Sequence, residues 1–376
     1  MTVSLLLLCC LPLDASPPAV AIAEALAGRP ASLVGRASET GLLAATLSHV
    51  PPVSTPTRDR LVAALRPAVA DGRELTKLVD VWRRETVEAR LVVDSPDRIE
   101  FALTSKTLGH GCIAFSCRTS ADGAVEVIDL VDHRQQLVLS RQLADAAAAV
   151  VLAKQSQTGP LIAADRAALT PLALRHRMTT LRKSATLDEY DAASAALPAP
   201  LRTDPSVRLG RVLVAIRGDQ LEPAIAALRE ARRCPSLLTA TDTLIAGYGL
   251  RAGLFEESLG AATRLGRTQP RNPHWVVMQA AAYVRLGEAD RAIAALDEAT
   301  AIAPDRPLSY LTMLAHTLDA GDAALTARVL ARFERSDRFA LGPLARLPGY
   351  RDFLTTPPGR LWKQHAAVGV GRTVTL

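Results

Sequence analysis

The sequence predicts two architectures in tandem: an α+β N-terminal domain over residues 1–158, then an all-α superhelix of paired helices. Three observations carry this reading. Apolar alternation with a period of two is confined to residues 89–131. Glycine recurs every 34 residues at Gly253, Gly287 and Gly321, each time between two apolar helical runs. Pro270 and Pro304 close successive pairs, as expected of a residue that cannot continue a helix.

The chain opens on MTVSLLLLCCLPLDASP. No positive charge precedes its apolar run, and Asp14 ends it without a small-x-small cleavage site. A buried first strand over VSLLLLCCL is therefore expected, with a signal peptide over residues 1–16 as the competing reading. PPAVAIAEALAG then reads as a helix and SETGLLAATLSHV as a second strand. TPTRDRLVAALRPAVAD reads as a helix capped by Thr55 or Thr57, with Leu61, Leu65 and Val69 on one face. The runs ARLVVDS, RIEFALTS, CIAFSCRT and AVEVIDLV are rich in β-branched and apolar residues. They predict a four-stranded antiparallel meander, with Asp122-Gly123 as a hairpin turn. Helices would cover one face, including an Ala-rich one near 140–155. Gly159-Pro160 marks the expected boundary, with 159–169 as linker.

Chemistry in this half is sparse. His110, Cys112 and Cys117 form an H-x-C-x4-C cluster, but alternation on a strand puts Cys117 on the face opposite His110 and Cys112. No fourth ligand is spaced nearby for zinc. Buried small cysteines and a loop histidine are the expectation. LTSKTLGHG lacks the order of a phosphate-binding loop and joins two strands. Asp129, Asp132 and His133 are expected at a solvated strand end. No catalytic, cofactor-binding or metal-binding residue is assigned, and the chain is not expected to be an enzyme. The alternative is an enzyme or ligand sensor whose site lies in the N-terminal domain, with the helices as a docking module.

The stretch Pro273 to Pro304 reads as two helices broken at Gly287. Tyr283, Gly287, Ala292, Leu296, Ala299 and Pro304 fall at fixed offsets. In that pattern residues 204–334 resemble the tetratricopeptide repeat family, with a further truncated unit at 170–203. The resemblance implies stacked helix pairs over 170–336, a terminal cap over 337–365 and a tail over 366–376. It makes Gly253, Pro270, Ala292, Ala299 and Gly321 structural positions. It also implies a concave groove lined by the first helix of each pair, in which Arg251, His274, Val277, Arg285 and Leu311 would meet a peptide or protein partner. The asparagines with which the family's chaperone-binding members grip a terminal carboxylate are absent. Occupation of the groove from within the chain is the other reading.

Charge divides unevenly. Residues 166–376 carry 28 basic against 20 acidic residues, a net +8, which favours acidic partners by steering. Nucleic acid is the alternative partner, although 39 of the 44 basic residues are arginine, a skew that composition alone explains. The five cysteines form no even framework and fit a reducing cytoplasm; no apolar run is long enough to span a membrane.

Overall fold

Sheet and helices follow one another along the chain as the change of period predicts. The computed structural model describes residues 15–26, 37–70, 73–95, 97–105, 109–119, 125–133, 137–270, 272–304, 308–335 and 347–368. They fall into two compact units, Met1–Thr241 and Asp242–Leu376. The expected strand VSLLLLCCL and the tail from residue 369 lie outside the described residues.

The first unit begins with α1 (Pro17–Leu26), α2 (Glu39–Ser48), α3 (Thr55–Val69) and α4 (Arg73–Glu85). α2 replaces the expected second strand. The Ser38 hydroxyl accepts a hydrogen bond from Gly41 N, and Leu42 and Thr46, four residues apart, are buried on one face. Leucine and alanine are strong helix formers, so cap and propensity together override a short apolar run. α3 buries Thr57, Leu61, Leu65 and Val69 as expected, but Ser54 is its N-cap. Thr57 instead donates to Asp165 at 2.6 Å, and Asp165 also accepts from Ser54 N and Oγ at 3.0 and 2.5 Å. These bonds favour the charged form and hold the Asp165 carboxyl below its usual range.

β1 (Thr86–Asp94), β2 (Arg98–Ser105), β3 (Gly109–Thr119) and β4 (Val125–Asp132) form the antiparallel meander, and a two-residue β5 (Leu137–Val138) extends its edge. Ile99 sits opposite Phe115 and Phe101 opposite Ile113, all buried. The Phe101 and Phe115 rings meet edge to face with centroids 6.5 Å apart. Asp122-Gly123 lies outside the described residues, though the strands it would join pair from Thr119 and Val125. His110 belongs to β3, opposite Thr104, rather than to a loop. Its side chain and that of Cys112 are outside the described residues. Cys117 is a buried core residue, and burial pushes its thiol up to about 11.

α5 (Leu139–Ala153), α6 (Gln155–Thr158) and α7 (Ala163–Leu181) carry the chain past Gly159-Pro160 without leaving this core. Leu161, Leu169 and Leu172 join the apolar cluster of Phe101, Phe115 and Leu143. A bidentate pair from Arg175 to Asp145, at 2.7 and 3.1 Å, ties α7 to α5. Residues 163–169, expected as linker, are therefore helix. α8 (Leu187–Ala195), α9 (Ala199–Arg202), α10 (Pro205–Arg217) and α11 (Leu221–Arg232) follow in the same unit. Tyr190 of α8 donates to Val207 O at 2.9 Å, and a β-carbon on Gly210 would overlap its hydroxyl.

The unit boundary falls within α12 (Leu238–Arg251). Beyond it lie α13 (Phe255–Thr268), α14 (Pro273–Arg285), α15 (Ala289–Ile302), α16 (Leu308–Asp319) and α17 (Ala323–Arg335). Gly253, Gly287 and Gly321 turn the α12–α13, α14–α15 and α16–α17 hairpins with φ of 76°, 76° and 69°, a region open to glycine at little steric cost. Ala280, Ala292 and Ala299 are fully buried, which lets neighbouring helices approach closely. Pro270 and Pro304 stand two residues beyond the ends of α13 and α15. α18 (Tyr350–Phe353) and α19 (Pro357–Val368) close the end, where Tyr350, Phe353 and Trp362 join the core that contains Leu330 and Phe333.

Two measurements test this packing. Ala292→Leu should overfill the hairpin interior and destabilise the protein by about 1–3 kcal/mol in urea denaturation. A change near zero would place Ala292 at an open contact. For Asp165, the folded pKa lies below the unfolded value, so its contribution is present above the unfolded pKa and lost as pH falls through the folded one. The stability deficit of Asp165→Asn should be constant above about pH 5 and shrink below about pH 4. A deficit that does not change with pH would overturn the assignment.

Candidate binding groove

The first helices of the second unit's hairpins, α12, α14 and α16, place equivalent residues 34 apart. Arg251, Arg285 and Asp319 each sit at the last residue of their helix. The Arg285 guanidinium donates to Asp319 Oδ2 at 2.5 Å and lies 5.1 Å from the centroid of the Phe255 ring. One arginine thus touches the hairpins on both sides of its own, by a charge-assisted bond in one direction and a cation–π contact in the other. Arg285 is therefore already engaged, where sequence reasoning expected it to await an acidic partner. Arg251 is exposed, with its guanidinium 5.9 Å from the Tyr248 ring one turn earlier.

His274 is half-buried at the start of α14 and packs edge to face on Trp275 at 4.7 Å. Leu311 is half-buried on α16. Val277 is a correction: it is buried within the α14–α17 core and packs rather than lines a surface. Gly247 and Ala315 are exposed on α12 and α16. His316 is half-buried beside this face, and burial lowers its pKa, with Asp319 raising it and Arg285 lowering it further. Tyr283 stacks under Arg291 at 5.7 Å and serves the hairpin itself. On the second helices, Arg328 pairs with Asp290 and Arg332 with Asp297, both at 2.8 Å, linking α15 to α17. Exposed pairs of this kind contribute little individually.

The polar residues of the first unit are more enclosed than a solvated strand end. Ser140, fully buried, donates to Asp129 Oδ2 at 2.6 Å, and His49 Nε2 lies 3.0 Å from its Oγ. A hydroxyl has one proton, and Ser140 gives it to Asp129, so His49 must carry hydrogen on Nε2 and act as donor. That orientation is opposite to the one a base needs to activate a serine. Asp132 is fully buried. His133 meets Arg98 at 3.3 Å; Arg98 Nε and Nη2 both donate to one oxygen, Oε2, of buried Glu100, at 3.2 and 2.7 Å. Burial lowers the His133 pKa, with Glu100 opposing the shift. Sequence reasoning missed the first cluster because His49 and Ser140 are 91 residues apart. Among the described residues, no group of three or more His, Cys, Asp or Glu side chains could hold a metal, and no helix is long and apolar enough to cross a membrane.

No protein-family model matches the chain, and no curated protein matches it. Among solved structures, MamA AMB-1, in a P212121 crystal, aligns with 47% of this chain and 97% of its own at 14% identity and a TM-score of 0.34.

The Arg285–Asp319 contact is measurable by a double-mutant cycle of Arg285→Ala and Asp319→Ala. Asp319 is 73% exposed, so the coupling should be about 0.2–1 kcal/mol and fall as salt is added. Zero coupling at low salt would mean that the pair does not join the hairpins in solution.

Proposed function

We propose that the hairpins of the second unit are tetratricopeptide-like repeats, with the α10–α11 pair a further member, and that the chain is an adaptor. Its partner would be a protein or peptide, bound against the faces of α12, α14 and α16. The single observation behind this is geometric. Three hairpins turn on left-handed glycines 34 residues apart and bring equivalent side chains into register at their helix ends. A repeated surface of this kind suits an extended or helical segment that touches several repeats at once. Arg251 would meet an acidic residue of the partner, and Leu311 an apolar one. His274 and Arg285 would flank the path, Arg285 exchanging Asp319 for the partner only at the expense of an existing bond. With an odd number of cysteines, a reducing cytoplasm is the setting that suits this role.

Photo-cross-linking residues at Gly247 and Ala315, both exposed on this face, test the assignment against the same probe at Glu298, exposed on α15. The first two positions should capture one defined partner, and Arg251→Glu should abolish the capture while leaving the melting temperature unchanged, since like charges repel across an interface. Equal capture from Glu298, or indifference to Arg251→Glu, would remove this face from the function.

A further inference from the structure

The last residues of α10, α12, α14 and α16 fall 34 apart in sequence: Arg217, Arg251, Arg285 and Asp319. One position of the repeat is thus an arginine in three helices and an aspartate in the fourth. In the first unit Arg217 spends both terminal nitrogens on carbonyls of the turn after α7, Arg182 O and Ala185 O. Arg285 is satisfied differently. Its Nη1 donates to Asp319 Oδ2, and its guanidinium carbon lies over the Phe255 ring at 5.1 Å from the centroid. Its Nε and Nη2 have no acceptor among the described residues, and neither is shut away from solvent. The side chain as a whole is 27% exposed. Nε–H and Nη2–H share one edge of the guanidinium plane, the side of the fork that takes a carboxylate through two parallel bonds. Stacking on Phe255 holds that plane, so less freedom remains to be lost when an acid binds.

We infer that this free edge of Arg285 seats an acidic side chain of the partner, and that Asp319 is a built-in counter-charge that keeps the hold weak and reversible. The inference rests on the reading of α12, α14 and α16 as the binding face. Exchange of Asp319 is not required, because its bond uses Nη1, at the other end of the fork. Asp319 nevertheless leaves a second carboxylate beside the incoming one, and like charges so placed oppose each other. It therefore acts as a repulsive element within an otherwise attractive site. The Arg285–Asp319 pair is neutral as it stands, so recognition comes from two directed hydrogen bonds more than from net charge. The acid is a side chain rather than a chain terminus. Arg285 lies in the middle hairpin and touches the hairpins on both sides, so a segment that follows this face continues past the seat in both directions.

Titration of the isotopically labelled full-length protein, followed by nuclear magnetic resonance at Arg285 Nε–H and the Leu286 amide, tests this without the partner. Three probes are used: a doubly blocked Gly-Glu-Gly peptide, its Gly-Gln-Gly counterpart, and N-acetylated triglycine with a free C-terminus. Gly-Glu-Gly should move Arg285 Nε–H along a saturating curve, and Gly-Gln-Gly should not. The free terminus should bind more weakly than the glutamate. Asp319→Asn, at a position 73% exposed, leaves the fold intact. It should tighten Gly-Glu-Gly binding by about 1.4- to fivefold, the span expected of one exposed charge pair. Arg285→Lys keeps the charge and removes the edge. Read at the Leu286 amide, it should weaken the glutamate peptide by roughly tenfold, the scale of one hydrogen bond to a charged group. The inference is overturned if Gly-Glu-Gly does not saturate, if Gly-Gln-Gly acts like it, or if the free terminus binds tightest. It is equally overturned if Asp319→Asn fails to tighten binding, or if Arg285→Lys binds like the parent. Capture from Gly247 and Ala315 is a separate readout, so failure of the seat and failure of the binding face are told apart.

Discussion

Close approach of helices within each hairpin is the constraint on which the second unit depends. Two helices joined by a three-residue turn can pack only if the chain reverses sharply and the facing side chains are small. Gly253, Gly287 and Gly321 supply the reversal in the left-handed region, and Ala280, Ala292 and Ala299 supply the small contacts. At Gly249 the demand is visible in reverse, since a β-carbon there would overlap the Ser258 hydroxyl, which donates to Ile245 O across the same hairpin at 2.9 Å. Once these contacts are met, a spacing of 34 residues follows from the lengths of two helices and their turns. Any side chain repeated at that spacing then falls beside its equivalent, which is how Arg285 finds Asp319.

The first unit solves a different problem: covering one sheet with helices that arrive from both sides of it in sequence. α2 and α3 precede the meander, and α5 and α7 follow it, so polar contacts of long sequence separation hold them together. Asp165 of α7 accepts from Ser54 and Thr57, more than a hundred residues earlier. Asp145 lies deep enough that burial raises its pKa even beside Arg175, and breaking that pair would leave a charge stranded in the interior. Such bonds fix which helix lies where, while the apolar cluster from Ile22 to Leu172 supplies the driving force.

Local signals and long-range ones fared differently. The alternation of Ile99, Phe101 and Leu103 identified a strand with one buried face, and the interval of Leu61, Leu65 and Val69 identified a helix, because each pattern repeats within one element. Residues 39–48 were misread because a short apolar run has no clear period, and the Ser38 cap that settles its helical state depends on one local hydrogen bond. At the candidate groove, the sequence offered Arg251, His274, Arg285 and Leu311 as partner-facing positions; Arg251 is exposed, while His274, Arg285 and Leu311 are half-buried. It could not foresee that Val277 would be covered by neighbouring helices.

What the sequence by itself determined was the order of elements: a meander of strands, then hairpins with glycine at each turn. Those features follow from backbone preferences and from side-chain periods, which act over a few residues. Tertiary structure alone decided that the first core runs through Gly159-Pro160 into α7. It alone placed His49 against Ser140 and Asp129, and set Arg285 between Asp319 and the Phe255 ring. Each of these depends on which faces meet when elements pack, and a charge or hydroxyl carries no mark in the sequence of the partner that packing will bring to it.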